Sequence, residues 1–443
     1  MNSIQDIPEL QNLHSLQNVV RIPREIDVPI TKRVKKLMDT PEFRRLARIS
    51  QLGLVSLVYP AANHTRFEHS LGVYRLALLY LRQLSRFDRF HELVTAEDAE
   101  ILIVAALLHD LGHWPFCHPI EDMHLTNVPE HELFANSFLL EGEVANCLRD
   151  DWGINPRDVV TLLSGKPKSK SKMLLQSILS GPLDIDKMDY LQRDSLHAGV
   201  PYGRNFDQQR LMGSLCMNVE GNRLAITEKG KTAAEMMVFA RYIMFSEVYW
   251  HHAVRSATAM LQRAFYHCYP NMDLNILFRT DESRFVESMF KQTKAESIGE
   301  LWDGLFGDSR LLYKRLFEVG FLDTPELYER LAHKGYSYLA KCSERFALEL
   351  SHLTGIRVAP YQVLIDAPPS GHETQFLVDI ISAKTEKTAQ LHERSPIVNS
   401  IASKSFDAQV KRVRVFVHPS LRDRVLSSVN VKSLIEIATT VAT

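Results

Sequence analysis

Eight of the chain's 18 histidines fall between positions 64 and 131, and seven of them are of interest: His64, His69, His109, His113, His118, His124 and His131. Three of them sit in "HDLGHWPFCH" at 109–118, directly after the apolar run "ILIVAALL". A metal ion that activates water needs three or four oxygen or nitrogen donors and an open position, and His, Asp and Glu supply such donors. His109 and Asp110 are adjacent at the end of what reads as a buried helix, so they can converge on one ion only from that end. His113 is one turn further on and is expected on the same face. Such a pair alone is weak evidence. Helix-end histidines also answer the helix dipole, and buried ones are often plain core residues. The pair gains weight from "RFEH" upstream at 66–69 and "DIDKMDY" downstream at 184–190.

Arg66 and Lys187 stand in those same two motifs. Cations around a metal-bound phosphoryl group would stabilise its charge in the transition state. The competing reading is ordinary ion pairing, Arg66 with Glu68 and Lys187 with Asp184 or Asp189. Asp186, Tyr190 and Asp194 recur at intervals of four and form one helical stripe, either a solvated face or a pocket wall.

The elements that must hold these residues are mostly helical. "VVRIPREIDVPI" (19–30) alternates and contains prolines, which predicts a short edge hairpin. "DTPEFRRLARISQLG" predicts a helix, with Thr40 as N-cap, Pro41 first and Glu42 in the first turn. From about 70 to 200 nearly every segment has helical periodicity, including "SLGVYRLALLYLRQL", "AEDAEILIVAALLHD" and "HELFANSFLLEGEVANCL". "LCMNVEGNRLAIT" (215–227) reads as a second hairpin around Gly221-Asn222. Helices resume with "KTAAEMMVFARYIMFSEVYWHHAVRSATAMLQRAF" and run to about 353. After that, "GIRVAPYQVLIDAPP", "TQFLVDIIS" and "VKRVRVFVHP" are strand-like. The expected fold is mainly α, with short β-hairpins, a domain over 1–353 and a small α+β domain over 354–443.

Composition excludes several classes. The 45% hydrophobic and 24% charged shares are those of a globular protein. Fifty-two basic against 53 acidic residues leave no global field for nucleic acid or membrane. The five scattered cysteines form no C-x-x-C pair, which argues against a disulfide framework or a structural zinc site. The apolar run at 101–108 is too short to span a bilayer, and the start "MNSIQDIPEL" lacks signal-peptide features. A cytoplasmic protein is expected. The lysine-rich "GKPKSKSKM" (165–173) reads as a solvated loop in preference to an anion site.

"QLGLVSLVYPAANHTRFEHSLGV", "LLHDLGHWPFCH", "HE" at 131–132 and "DIDKMDYLQRDS" together resemble the HD-domain phosphohydrolases. The closer likeness is to the branch of SAM-and-HD-domain deoxynucleoside triphosphate triphosphohydrolases and their bacterial relatives, over roughly residues 20–260. The resemblance implies His69, His109, Asp110 and Asp186 as ligands of a divalent metal. It implies His113, His118 and His131 near the phosphates, one of them protonating the leaving oxygen, with Glu132 orienting that acid. Arg66, Lys187 and Tyr190 would contact the phosphate chain, and Gln51, Leu52 and Asp194 the deoxyribose. The implied reaction cleaves a dNTP at the α-phosphorus into deoxynucleoside and tripolyphosphate, in a dimeric or tetrameric enzyme. The family's phosphate-holding arginine on the helix after the hairpin has no clear counterpart in "FSEVYWHHAVRSA", where His251, His252 and Arg255 are the candidates.

The donor set suits manganese, iron, nickel or zinc, and magnesium less well. Two alternatives stand beside the triphosphohydrolase. One is a metal-dependent phosphohydrolase for nucleoside monophosphates or another phosphoester. The other is a non-catalytic nucleotide sensor or nucleic-acid-binding protein on the same scaffold, which the intact donor set disfavours. The sequence lacks both the acidic residues that follow the His-Asp pair in guanosine-tetraphosphate hydrolases and the G-Y-P signature of cyclic-di-nucleotide phosphodiesterases.

Overall fold

The computed structural model describes residues 3–296, 298–369, 377–382, 388–402, 410–428 and 430–440. Helix α1 (Arg66–Leu84) packs against both α2 (Ala96–Leu108) and α3 (Ile185–His197), and the ends of these three carry the motifs singled out above. Thr95 and Asp98 cap α2 reciprocally, each side chain accepting the other's backbone N–H. Residues 101–108 are then buried on every side. Each fully buried Leu or Ile is worth about 1.5–3 kcal/mol, so α2 is held by its surroundings.

The helix stops at Leu108, and 109–113 turn through tighter bonds, Leu111 N–H to Leu108 O and His113 N–H to Asp110 O. His113 therefore does not continue the helical face of His109. Arg45, buried, pins this turn by donating to Leu111 O at 2.8 Å and Phe278 O at 3.2 Å.

Other long helical expectations break for local reasons. Segment 131–148 forms helices His131–Phe134, Asn136–Leu139 and Gly142–Asp150, with Gly142 at φ +81° in the left-handed region. Helix α4 (Lys231–Met244) passes through a π-turn, Phe245–Tyr249, before α5 (His252–Cys268) begins. The segment after Thr40 is a short helix, Pro41–Arg44, with Thr40 capping as expected, followed by a 3-10 turn.

Both hairpins form: β1 (Val19–Ile22) with β2 (Ile26–Pro29), and β3 (Leu215–Met217) with β4 (Leu224–Thr227), each antiparallel. A three-stranded antiparallel sheet has the order β5 (Lys314–Val319), β9 (Val413–Val417), β6 (Val363–Asp366). Strand β7 (Asp379–Ile381) pairs parallel to β4, with β8 (Thr388–Gln390) outside it. Of the strand expected over 374–382, residues 374–376 lie outside the described residues. The fold is mainly α, with small sheets. A main core runs through the helices, and a second core gathers β5, β6, β9, α6 (Tyr336–Thr354) and the helix Val431–Thr440. That second core reaches back to Leu316, while β7 and β8 leave it for the sheet of β3 and β4.

Candidate metal centre and active site

The first turn of α1, the end of α2 and the first turn of α3 meet at one point. His69 Nε2 lies 3.2 Å from His109 Nε2 and 3.0 Å from Asp186 Oδ1. His109 Nε2 lies 3.3 Å from Asp110 Oδ1 and 3.9 Å from Asp186 Oδ1. Ligands at right angles on bonds of about 2.1 Å stand about 3 Å apart, so the His69, His109 and Asp110 atoms are spaced as donors to one ion would be, and Asp186 Oδ1 borders both histidines. The far nitrogen of each histidine is also fixed. His69 Nδ1 meets Asp189 Oδ2 at 2.8 Å, and His109 Nδ1 meets Ala106 O at 3.0 Å. Holding Nδ1 in this way aims Nε2 at a metal. Burial alone would raise the Asp110 carboxyl, but His113, Arg66 and His109 hold it well below the usual range. The donor chemistry fits a divalent cation.

Behind the quartet runs a chain of charged contacts. Arg193 grips Asp189 with two bonds, of 2.7 and 2.8 Å, and reaches Glu68 at 2.6 Å. Glu68 meets His197 at 3.0 Å, and the His197 ring stacks on His64 at 4.3 Å. His64 Nε2 lies 2.9 Å from Asp194, which also accepts from the Tyr249 hydroxyl at 2.6 Å. Gly72 on α1 leaves the space that lets Asp189 and Arg193 approach.

Beside the quartet is a histidine cluster. His113 Nδ1 is 3.2 Å from Asp110, and its ring lies 3.9 Å from that of His131 and 5.1 Å from that of His118. Burial, reinforced by Arg66, pushes His113 well below an ordinary imidazole. Burial works against charge on His131 too, but the Glu121 carboxylate 2.9 Å away outweighs it and raises His131. Burial would raise Glu121 in turn, but His118 and His131 draw it down. The carboxylate that holds His131 is thus Glu121 and not Glu132, whose side chain points to solvent. Glu121 sits three residues after His118, a spacing visible in the sequence and passed over.

Arg66 is buried and pairs with Asp110 at 2.8 Å, not with Glu68. Its Nε is buried without a hydrogen-bond partner among the described residues. Lys187 pairs with Asp184 at 2.6 Å and donates to Gly181 O, the ordinary ion pair weighed above. The stripe Asp186, Tyr190, Asp194 is no solvated face: Asp186 turns to His69, Tyr190 is half-buried and Asp194 is buried. Gln51 donates its backbone N–H to His64 O, and its side-chain Oε1 is buried and unpaired among the described residues. Leu52 beside it is half-buried against the core. His124 is exposed at φ +47° and stands apart from the histidine cluster.

Arg255 cannot serve as the phosphate arginine. It is buried in a two-bond pair with Asp366, 2.5 and 3.1 Å, and its guanidinium covers the Trp250 ring. His251 caps α5, and its ring packs against that of His252. Sequence reasoning missed Arg241, on α4 directly after the hairpin. It is buried beside Phe245, and its charge acts on Tyr249, the partner of Asp194. In the lysine-rich segment Ser169 caps the helix Lys170–Leu179, and Lys172 pairs with Asp158.

Residues 66–194 match the HD domain, and residues 206–442, more than half the chain, match the HD associated region. The chain belongs to the HD-domain family. An uncharacterised protein of Methanocaldococcus jannaschii is 30% identical over 388 residues, 86% of this chain and 76% of that one. The deoxynucleoside triphosphate triphosphohydrolase SAMHD1 of Gallus gallus is 30% identical over 292 residues, 58% of this chain and 46% of that enzyme. The chain therefore spans less than half the length of that relative. A solved hypothetical protein from Aquifex aeolicus superposes with a TM-score of 0.69 at 26% identity, over 92% of this chain and 98% of that one. No helix among the described residues is long and apolar enough to cross a membrane.

Proposed function

We propose that the chain is a metal-dependent phosphohydrolase that cleaves deoxynucleoside triphosphates at the α-phosphorus, giving deoxynucleoside and tripolyphosphate. The observation that carries this reading is the donor quartet with a carboxylate-paired histidine in the adjoining cluster. The match to the chicken dNTP triphosphohydrolase supports the substrate class. His69, His109, Asp110 and Asp186 would hold the ion, which when bound polarises a phosphoryl oxygen and supplies a hydroxide-like nucleophile.

The protein's own groups do the rest. Arg66, oriented by Asp110, offers its unpaired Nε to a phosphate oxygen. His131, kept protonated by Glu121, gives its proton to the leaving 5′-oxygen, while neutral His113 orients the phosphate. Arg241 takes the role of the phosphate arginine on the helix after the hairpin. Tyr190 lines the same wall, and Gln51, Leu52 and the Asp194–Tyr249 pair meet the sugar. We expect the enzyme to act as a dimer or tetramer, which light scattering on the eluted protein tests.

One observation favours a smaller substrate. Lys187 is held by Asp184 and Gly181, so fewer cations face a phosphate chain. Incubation with four dNTPs, four NTPs and the nucleoside monophosphates, each with Mg²⁺, Mn²⁺, Co²⁺ and Fe²⁺, separates the readings. Tripolyphosphate release that disappears in Asp110→Ala supports the triphosphohydrolase. Inorganic phosphate from monophosphates alone replaces it with the second reading, and no turnover in any pairing refutes both.

A further inference from the structure

A cavity of about 400 Å³ lies between the turn of the β1–β2 hairpin, α1 and α3. It opens on a different face of α3 from Asp186, Tyr190 and Asp194, and its lining includes Arg24, Arg75, Arg193 and Arg204. Among the described residues only Arg193 of the four has carboxylate partners, Asp189 and Glu68. Arg75 gives its Nε to Asp27 O at 3.0 Å, and Arg204 gives an Nη to Val200 O at 3.4 Å. Among the described residues the buried Arg204 Nε has no partner, and Arg24, Arg75 and Arg204 form no ion pair. The two lining carboxylates are already engaged: Asp189 by Arg193 and His69, Asp207 by the backbone N–H of Arg210. The cavity thus carries an excess of positive charge, with Arg75 and Arg204 half-buried and Arg24 exposed at its rim, and the half-buried pair costs free energy until an anion enters.

We propose that this cavity binds a compact phosphate-class oxyanion, and that its occupancy reaches the donor quartet through Arg193. Guanidinium forks match phosphate oxygens two at a time, and two half-buried unpaired forks with a third at the rim call for a multiply charged anion. Arg193 has a limited set of N–H donors and already spends three on Asp189 and Glu68. An anion that takes the two remaining N–H groups of Arg193 pulls on the same guanidinium that holds Asp189, and Asp189 is the group that orients His69. No covalent step is involved, and the inference is independent of which phosphoester the front site hydrolyses.

The test is isothermal titration of the full-length protein, metal included, with inorganic phosphate. Arg75→Gln and Arg204→Gln should each weaken binding about tenfold, the loss of one charge-assisted contact. Arg66→Ala, which weakens phosphate binding at the front site, should leave in place the binding component that Arg75→Gln and Arg204→Gln reduce. Thermal melts establish that each variant is folded. Phosphate binding that falls with Arg66→Ala and survives both rear variants overturns the site, as does the absence of saturable binding in the unaltered protein. Coupling is read from Mn²⁺ affinity by electron paramagnetic resonance, in phosphate against chloride at equal ionic strength. A several-fold change in the unaltered protein, abolished in Arg204→Gln, is expected. An unchanged affinity at saturating phosphate overturns the coupling.

Discussion

Alanine at position 72 should damage a site it does not touch. Replacing a helical glycine by alanine ordinarily stabilises by about 0.5–1 kcal/mol. At Gly72, in the middle of α1, an added Cβ would stand 1.9 Å from Asp189 Oδ1 and 2.4 Å from Arg193 Nη2. Ordinary contact begins near 3.4 Å, so the carboxylate must retreat by about 1.5 Å. It has nowhere easy to go, because Arg193 and His69 hold both its oxygens at 2.7–2.8 Å. Disrupting a buried ion pair costs about 3–5 kcal/mol, which leaves a net loss of about 2–4 kcal/mol after the helical gain. Releasing His69 Nδ1 should also weaken metal binding about 10–100-fold. Urea denaturation gives the first quantity, and metal content by mass spectrometry with Mn²⁺ titration gives the second. Gly213→Ala is the control, since nothing lies within 4 Å of its added Cβ. A Gly72→Ala protein as stable as the parent, with its metal retained, would refute the account of Asp189 as the group that positions His69.

Asp110→Ala should abolish both metal binding and turnover, and a chelator should reproduce the loss reversibly. Glu121→Gln removes the group that raises His131, so the protonated acid is lost at lower pH. The alkaline limb of the kcat/KM profile should then shift downward; a profile that stays in place excludes His131 as the acid. The same pair contributes to stability on the acid side and fades as pH rises through the raised His131 value, which melts at stepped pH will show. Arg255→Met leaves Asp366 buried without its two-bond partner, with only Arg414 across the strand to offset its charge, and should cost about 3 kcal/mol, with the Arg255→Met/Asp366→Leu double variant recovering part of it. Tyr249→Phe takes a donor from Asp194 and should raise KM more than it lowers kcat, as steady-state kinetics with the best dNTP will report.

What the sequence determined is what short-range physics decides. The cap at Thr40, the two hairpins and the buried run at 101–108 depend on neighbours a few residues apart, and each formed where its residues indicated. The family resemblance also pointed to His69, His109, Asp110 and Asp186, which the fold brings beside one another.

Choices among chemically equal neighbours were not legible. Glu121 and Glu132 are both near His131 in the chain, yet only the turn that folds helix Cys117–Glu121 back toward His131 gives the bond to Glu121. Arg241 and Arg255 sit on either side of a π-turn, and packing against Asp366 and Trp250, more than a hundred residues from Arg255 in one case, commits Arg255 to structure. Lys187 was spent on Asp184 within its own first turn, while Arg66 reached Asp110 across 44 residues instead of Glu68 beside it. Strand β7 joined β4 and β8 joined β7, instead of the sheet of β5, β6 and β9. Residue type limits which bonds a side chain can make, but its partner is set by which backbone segments are brought within about 3 Å, and that distance is a property of the whole packed chain.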